Sequence, residues 1–88
     1  MSHLNPIIMP EELKKKYSQK EGEIAFRLWS FALTIAELET SPNKEKTENL
    51  YDKAVAFSSS SWMEIKATKE ERDDLQKMID RLTFLTTR

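Results

Sequence analysis

Residues 21–39, EGEIAFRLWSFALTIAELE, decide the fold of this chain. Apolar side chains recur there at intervals of 4, 3, 4 and 3 residues, and they are Ile24, Leu28, Phe31, Ile35 and Leu38. This spacing is the period of an α-helix with one buried face. A second apolar stripe lies beside the first and consists of Phe26, Trp29, Leu33 and Ala36. Since a surface helix of a monomer needs only one apolar face, the pattern predicts a helix that is buried on two sides.

The remainder of the chain also favours helices, because one glycine and three prolines among 88 residues leave few places for the turns of a sheet protein. We predict an all-α fold in one domain: an antiparallel helical hairpin with a short N-terminal helix and an added C-terminal helix. In chain order, the predicted segments are an extended arm over 1–9, a short helix over 10–17, hairpin helices over 21–39 and 42–66, and a C-terminal helix over 69–86.

Local signals place the helix ends. Pro10 suits the first position of the short helix, and Thr40 or Ser41 is predicted to cap the 42–66 helix with Pro42 just inside it. The segment Thr68–Glu71 has the pattern of a capping box. Four serines, at 58–61, lie within the predicted 42–66 helix. They indicate either close approach of another backbone or a ligand, or a weakly polar exposed turn.

Composition excludes several classes of protein. Charged residues make up 33% of the chain but the net charge is only −1, whereas proteins that bind a nucleic-acid polymer usually carry a positive excess. We find no apolar run of membrane-spanning length and no signal-peptide pattern in residues 1–10, so we expect a cytosolic protein that does not enter membranes. Without cysteines, a core this small is marginal, and oligomerisation is the expected source of further burial.

No constellation in the sequence predicts catalysis. The one histidine, His3, lies in the N-terminal arm, and neither metal-ligand spacing nor a glycine-rich phosphate loop is present. The paired carboxylates Glu70-Glu71 and Asp73-Asp74 fit a helix start and a solvated helix face better than an acid–base pair. We therefore predict that the protein is not an enzyme and uses no cofactor or metal.

Two clusters of cations are candidates for binding. Lysines surround Tyr17, and Arg27 follows one helix later among Phe26, Leu28 and Trp29. A guanidinium among apolar side chains needs either an anionic ligand or a carboxylate such as Glu23. The second cluster is Lys44-Glu45-Lys46-Thr47, where lysines stand beside the unpaired N–H groups of a helix start. It is either a phosphate site or a solvated run of charges.

The second cluster and Arg27 belong to a longer pattern. Arg27, Pro42, the Lys44–Thr47 run, Leu50, Ala54 and Phe57 together resemble the helical-hairpin proteins of tailed phages that act as anti-CBASS cyclic-nucleotide sponges. The likeness extends over most of residues 10–66 and does not include the last helix. It implies a homo-oligomer, typically a hexamer, in the cytoplasm of an infected bacterium. Such proteins sequester cyclic di- and trinucleotides, such as 3′,3′-cyclic GMP–AMP, without cleaving them, and so keep host effectors inactive.

The resemblance also implies roles for single residues. Arg27 matches the phosphate-binding cation of the family's second helix. Lys44, Lys46 and Thr47 are further candidate ligand contacts because of their place at a helix start. Fifteen residues before that cation the family usually has a tyrosine that stacks on a base, but this chain has Glu12. Tyr17, or Met9 and Pro10, are therefore the candidates for the stacking surface.

Two other interpretations stay open. The second apolar face of residues 21–39 could bind a host enzyme, which would make the protein an inhibitor or adaptor. A small nucleoid-modulating protein is another alternative, because Leu50-Tyr51-Asp52-Lys53 and the later Ser-Ser-Trp are similar to Hha-like modulators.

Overall fold

The computed structural model describes the backbone of residues 8–87 and the side chains of residues 10–87. This part of the chain contains no strand and folds into α1 (Ile8–Ser18), α2 (Glu23–Thr40), α3 (Lys44–Ser58), α4 (Ser61–Ile65) and α5 (Lys69–Thr87). The prediction of an all-α fold is confirmed. None of these helices is both long and apolar enough to cross a bilayer.

The N-terminal helix is longer than predicted and packs on α2 more extensively than any other pair of helices packs together. Ile8 and Met9, which we assigned to an extended arm, form its first turn, and residues 1–7 of that arm lie outside the described residues. The chain turns at residues 19–22. Gly22 has a φ of 117° there, which an L side chain would adopt only with strain.

The first apolar stripe of α2 is buried at all five predicted positions. It meets buried side chains of α1, α3 and α5 in one core, to which α5 contributes Leu75, Met78, Ile79 and Leu82. The second stripe is buried only in part, since Ala36 is buried, Trp29 and Leu33 are half-buried, and Phe26 keeps 61% of its surface exposed. Within this chain, α2 is therefore not fully covered on two sides.

The segment predicted as one helix over 42–66 is two helices. α3 ends at Ser58 and α4 begins at Ser61. The Ser58 hydroxyl donates to the Val55 carbonyl (2.7 Å) and the Ser60 hydroxyl donates to the Phe57 carbonyl (2.6 Å). Serine side chains compete with helical hydrogen bonds in this way, and Ser60 then caps α4 by accepting a hydrogen bond from the Met63 N–H.

The start of α3 also differs from the prediction. Asn43 is the N-cap, because its extended backbone lets Oδ1 accept a hydrogen bond from the Lys46 N–H (2.9 Å). α2 extends to Thr40, and Pro42 lies before α3 instead of inside it. The capping box at Thr68 and Glu71 is confirmed by reciprocal hydrogen bonds of 2.9 and 3.1 Å.

α3 packs mainly on α5 and meets α2 over a small area. Because α5 also packs on α2, it connects the two helices that were predicted to form the hairpin. A buried ion pair ties α2 to α5. The Arg81 guanidinium donates to both carboxylate oxygens of Glu39, with an Nη2–Oε1 distance of 2.6 Å. Their side chains are only 9% and 2% exposed. The limited α2–α3 contact leaves space between these two helices.

Candidate anion-binding groove

A groove separates the exposed sides of α2 and α3, and we call it the α2–α3 groove. Its volume is about 530 Å³, which lies within the range of roughly 300–1,000 Å³ typical of small-molecule sites. It is lined from α2 by Glu23, Phe26, Arg27, Ser30, Phe31 and Thr34, and from α3 by Lys46, Asn49, Leu50 and Lys53.

The spacing of the buried residues determines which polar side chains reach this groove. On α2, each polar lining residue comes one position before a buried member of the first stripe; these pairs are Glu23–Ile24, Arg27–Leu28, Ser30–Phe31 and Thr34–Ile35. On α3 the same relation gives Lys46–Thr47, Asn49–Leu50 and Lys53–Ala54. One step along an α-helix turns the side chain by about 100°. Each helix therefore presents a polar row directly beside its buried row.

The groove carries a local positive charge in a chain whose net charge is −1. Among the described residues, Arg27, Lys46 and Lys53 line it together with a single carboxylate, Glu23. None of the ion pairs between described side chains includes any of these three cations. The pair with Glu23, which was one interpretation of Arg27, is therefore not formed.

Aromatic rings support the Arg27 side of the groove. The guanidinium carbon of Arg27 lies 5.8 Å from the ring centroid of Phe57, within the distance of a cation–π contact. The ring of Phe57 in turn packs edge-on against Phe31, with 5.9 Å between the centroids. Arg27 is thus held against a ring while remaining exposed to solvent.

Of the other predicted ligand residues, Lys44 and Thr47 lie in a different hollow. Both line a space between the α3 start and the end of α5, together with Pro42, Leu85 and Thr86. Thr47 is only 4% exposed, and its hydroxyl donates to the Asn43 carbonyl (2.7 Å). The structure therefore brings Lys46 and Arg27 to one groove and places Lys44 and Thr47 outside it.

The residues predicted to stack on a base are buried or outside the described side chains. Tyr17 keeps about 1% of its surface exposed and Pro10 is fully buried, so neither offers an open face to a base in this structure. The side chain of Met9 lies outside the described residues.

Tyr17 instead belongs to a polar cluster between α1 and α5. Its hydroxyl donates to Asp74 Oδ2 (2.5 Å), and the same oxygen accepts a hydrogen bond from the Lys16 ammonium (2.6 Å). Burial and the hydrogen bond to the Asp74 carboxylate raise the pKa of Tyr17 far above its ordinary value. Burial lowers the pKa of Lys16, but the hydrogen bonds to Asp74 and Glu70 outweigh this and hold that pKa above its ordinary value.

Of the residues that line the groove, only Arg27 and Lys46 were predicted ligand residues, and the two most relevant residues missed were Lys53 and Phe26. Lys53 follows Lys46 by seven residues, which is two helical turns and the same helix face. That spacing was available as a signal. Phe26 was assigned to a stripe predicted to be buried, and only the tertiary structure leaves it exposed.

Comparisons of the chain with models of known protein families, with curated proteins and with solved structures found no match. The resemblance to the phage sponges therefore stays a prediction that rests on the residues quoted for it.

The groove offers guanidinium and ammonium donors, an amide at Asn49 and neighbouring aromatic rings. Those groups suit an anion that also carries a flat, weakly polar part. In the described part of the chain, no group of three or more His, Cys, Asp or Glu side chains is placed to hold a metal ion.

Proposed function

We propose that this protein binds and sequesters a compact nucleotide anion, a cyclic di- or trinucleotide such as 3′,3′-cyclic GMP–AMP, in the α2–α3 groove, without cleaving it. The observation that carries the proposal is the convergence on one groove of Arg27, Lys46 and Lys53, none of which forms an ion pair with another described side chain. Following the resemblance to the phage sponges, the setting would be the cytoplasm of an infected bacterium, where removal of the messenger keeps antiphage effectors inactive.

The size and charge of the groove favour a small ligand over a polymer. Three cations clustered within about 530 Å³ match a ligand whose few phosphates lie close together. A nucleic-acid polymer is usually met by cations spread along a stripe or a whole face, and the net charge of −1 provides no such excess.

The strength of binding can be bounded. A hydrogen bond to a charged group contributes about 1.5–3 kcal/mol, so three such contacts give roughly 4.5–9 kcal/mol before the costs of association. That corresponds to dissociation constants from about millimolar to sub-micromolar. Tight sequestration therefore needs a further contribution, and stacking of each base adds about 1–3 kcal/mol.

The proposal includes self-association of the folded chain, which the resemblance predicts to be hexameric. Among the described side chains, Val55, Trp62 and Phe84 are large, apolar and at least 36% exposed, and none of the three lines the groove. Contacts between copies would remove such surface from water. Measurement of the mass in solution by light scattering tests this part of the proposal separately from ligand binding.

Thermal unfolding with 3′,3′-cyclic GMP–AMP tests the binding itself. A 100-fold excess over the dissociation constant adds about 2.7 kcal/mol, which is a Tm increase of roughly 11–22 °C for a domain of this size. Arg27→Ala should abolish most of the increase, whereas Arg72→Ala, an exposed arginine on α5, should keep it. If no cyclic di- or trinucleotide raises the Tm of the unaltered protein, the proposal is wrong.

The exposure of Phe26 also favours a second candidate, an inhibitor or adaptor that binds a host enzyme through α2. A monomer in solution that ignores cyclic nucleotides would support this alternative. An oligomer stabilised by them would exclude it.

A further inference from the structure

Beside the α2–α3 groove lies a second depression, which we call the aromatic hollow. It has a volume of about 470 Å³ and is lined by Tyr17, Ser18, Lys20, Gly22, Phe26 and Trp29, together with Glu21. Phe26 lines both the groove and the hollow. A ligand that extends from one to the other therefore passes over this ring.

Two aromatic side chains stand at this border, the exposed Phe26 and the half-buried Trp29. Phe26 and Trp29 are three residues apart on α2, and their ring centroids are 5.9 Å apart with the planes inclined by 35°. Phe26 is 61% exposed and precedes the groove cation Arg27 in the chain. An exposed ring beside a cation is the combination that binds a flat group joined to a phosphate.

We infer that Phe26 and Trp29 supply the base-stacking surface, so that one purine of the bound nucleotide covers these rings while its phosphates lie in the α2–α3 groove. This inference rests on the proposed function and deepens it, because it assigns the stacking role to residues of α2. The buried Tyr17 then forms the floor of the hollow and does not face the base.

A fluorescence titration with 3′,3′-cyclic GMP–AMP tests the contact directly. The chain has two tryptophans, and Trp62 lines neither the groove nor the aromatic hollow, so the Trp62→Phe variant leaves Trp29 as the reporter. Nucleotide addition should quench Trp29 emission. In the reciprocal Trp29→Phe variant, the emission of Trp62 should not change.

Substitutions of Phe26 distinguish stacking from simple apolar contact. Phe26→Leu keeps an apolar side chain but loses the ring, and should weaken affinity about 5- to 160-fold, the range expected for loss of one stacked base. Phe26→Tyr keeps the ring and should bind nearly as well as the unaltered protein. The matched control is Ile65→Ala, which removes a 77% exposed apolar side chain from α4 and should leave the affinity unchanged.

The outcomes separate this inference from the proposed function. If the protein binds the nucleotide and Arg27→Ala weakens binding, but Phe26→Leu does not and Trp29 is not quenched, the stacking assignment is overturned while the groove stands. If Phe26→Leu changes only the mass in solution, the aromatic surface is a contact between copies and the assignment is again overturned. If the unaltered protein binds no cyclic nucleotide, the proposed function itself fails.

Discussion

The hydrogen bond from Tyr17 to Asp74 joins α1 to α5, and its removal should expose a strong coupling between two residues 57 positions apart. In Asp74→Ala, the Tyr17 hydroxyl stays buried without its acceptor. An unsatisfied buried donor costs about 1–3 kcal/mol. The loss of the Lys16 contact costs less stability, because the Lys16 side chain is 30% exposed and keeps its ion pair with Glu70 at 2.7 Å. We expect a total loss of about 2 kcal/mol, or roughly 8–16 °C in Tm.

The double-mutant cycle with Tyr17→Phe tests the cause of that loss. Tyr17→Phe alone should cost about 0.5–1.5 kcal/mol, the net value of one hydrogen bond. In the Asp74→Ala background, the same substitution removes the unsatisfied hydroxyl, so it should be neutral or stabilising. The measurement is the free energy of unfolding in urea, followed by far-ultraviolet circular dichroism.

The matched control is Asp73→Ala, which removes an exposed carboxylate from the same turn of α5 and should change stability by less than about 0.5 kcal/mol. Additive effects of Tyr17→Phe and Asp74→Ala, or equal losses in the Asp74 and Asp73 variants, would refute the reasoning.

Three further predictions concern pH, the buried ion pair and the groove. Because the pKa of Tyr17 is raised in the folded state, its contribution to stability is complete below about pH 10, where tyrosine titrates in the unfolded chain, and declines above that pH. Tyr17→Phe should flatten the fall of Tm measured between about pH 9 and pH 11. Arg81→Met strands the buried carboxylate of Glu39 and should cost about 3–5 kcal/mol in urea unfolding, whereas adding Glu39→Leu should recover most of the loss. Lys53→Ala should weaken binding of 3′,3′-cyclic GMP–AMP roughly 10- to 160-fold by calorimetry, while Lys69→Ala, an exposed lysine outside the groove, should not.

Those parts of the fold that depend on apolar periodicity or on a local capping pattern could be predicted from the sequence. The first stripe of α2 and the capping box before α5 are where the pattern places them. The break between α3 and α4 could not be found this way, because the serine-to-carbonyl hydrogen bonds of Ser58 and Ser60 do not alter the apolar period. The apolar spacing therefore predicted one helix over 42–66 where the structure has α3 and α4.

The burial of Tyr17 could not be predicted from the sequence for a different reason. Its surrounding lysines indicated an exposed cationic cluster, but the acceptor of its hydroxyl lies 57 residues away on α5. No local pattern reports which distant helix covers a given face. The same limit explains Phe26, whose stripe resembles a buried one and is left open by the packing of the neighbouring helices.

The candidate site itself follows from the core more closely than from any motif. On both α2 and α3, the polar groove residues lie one position before the buried residues, so the choice of core face also fixes the face on which Arg27, Lys46 and Lys53 stand. The sequence does not determine which helix, if any, packs against that polar face. α3 packs mainly on α5, and its contact with α2 is small, so the space between α2 and α3 stays open. A helix pair held apart by a third helix keeps its facing cations open to solvent, and an anion is the group that such an arrangement can stabilise.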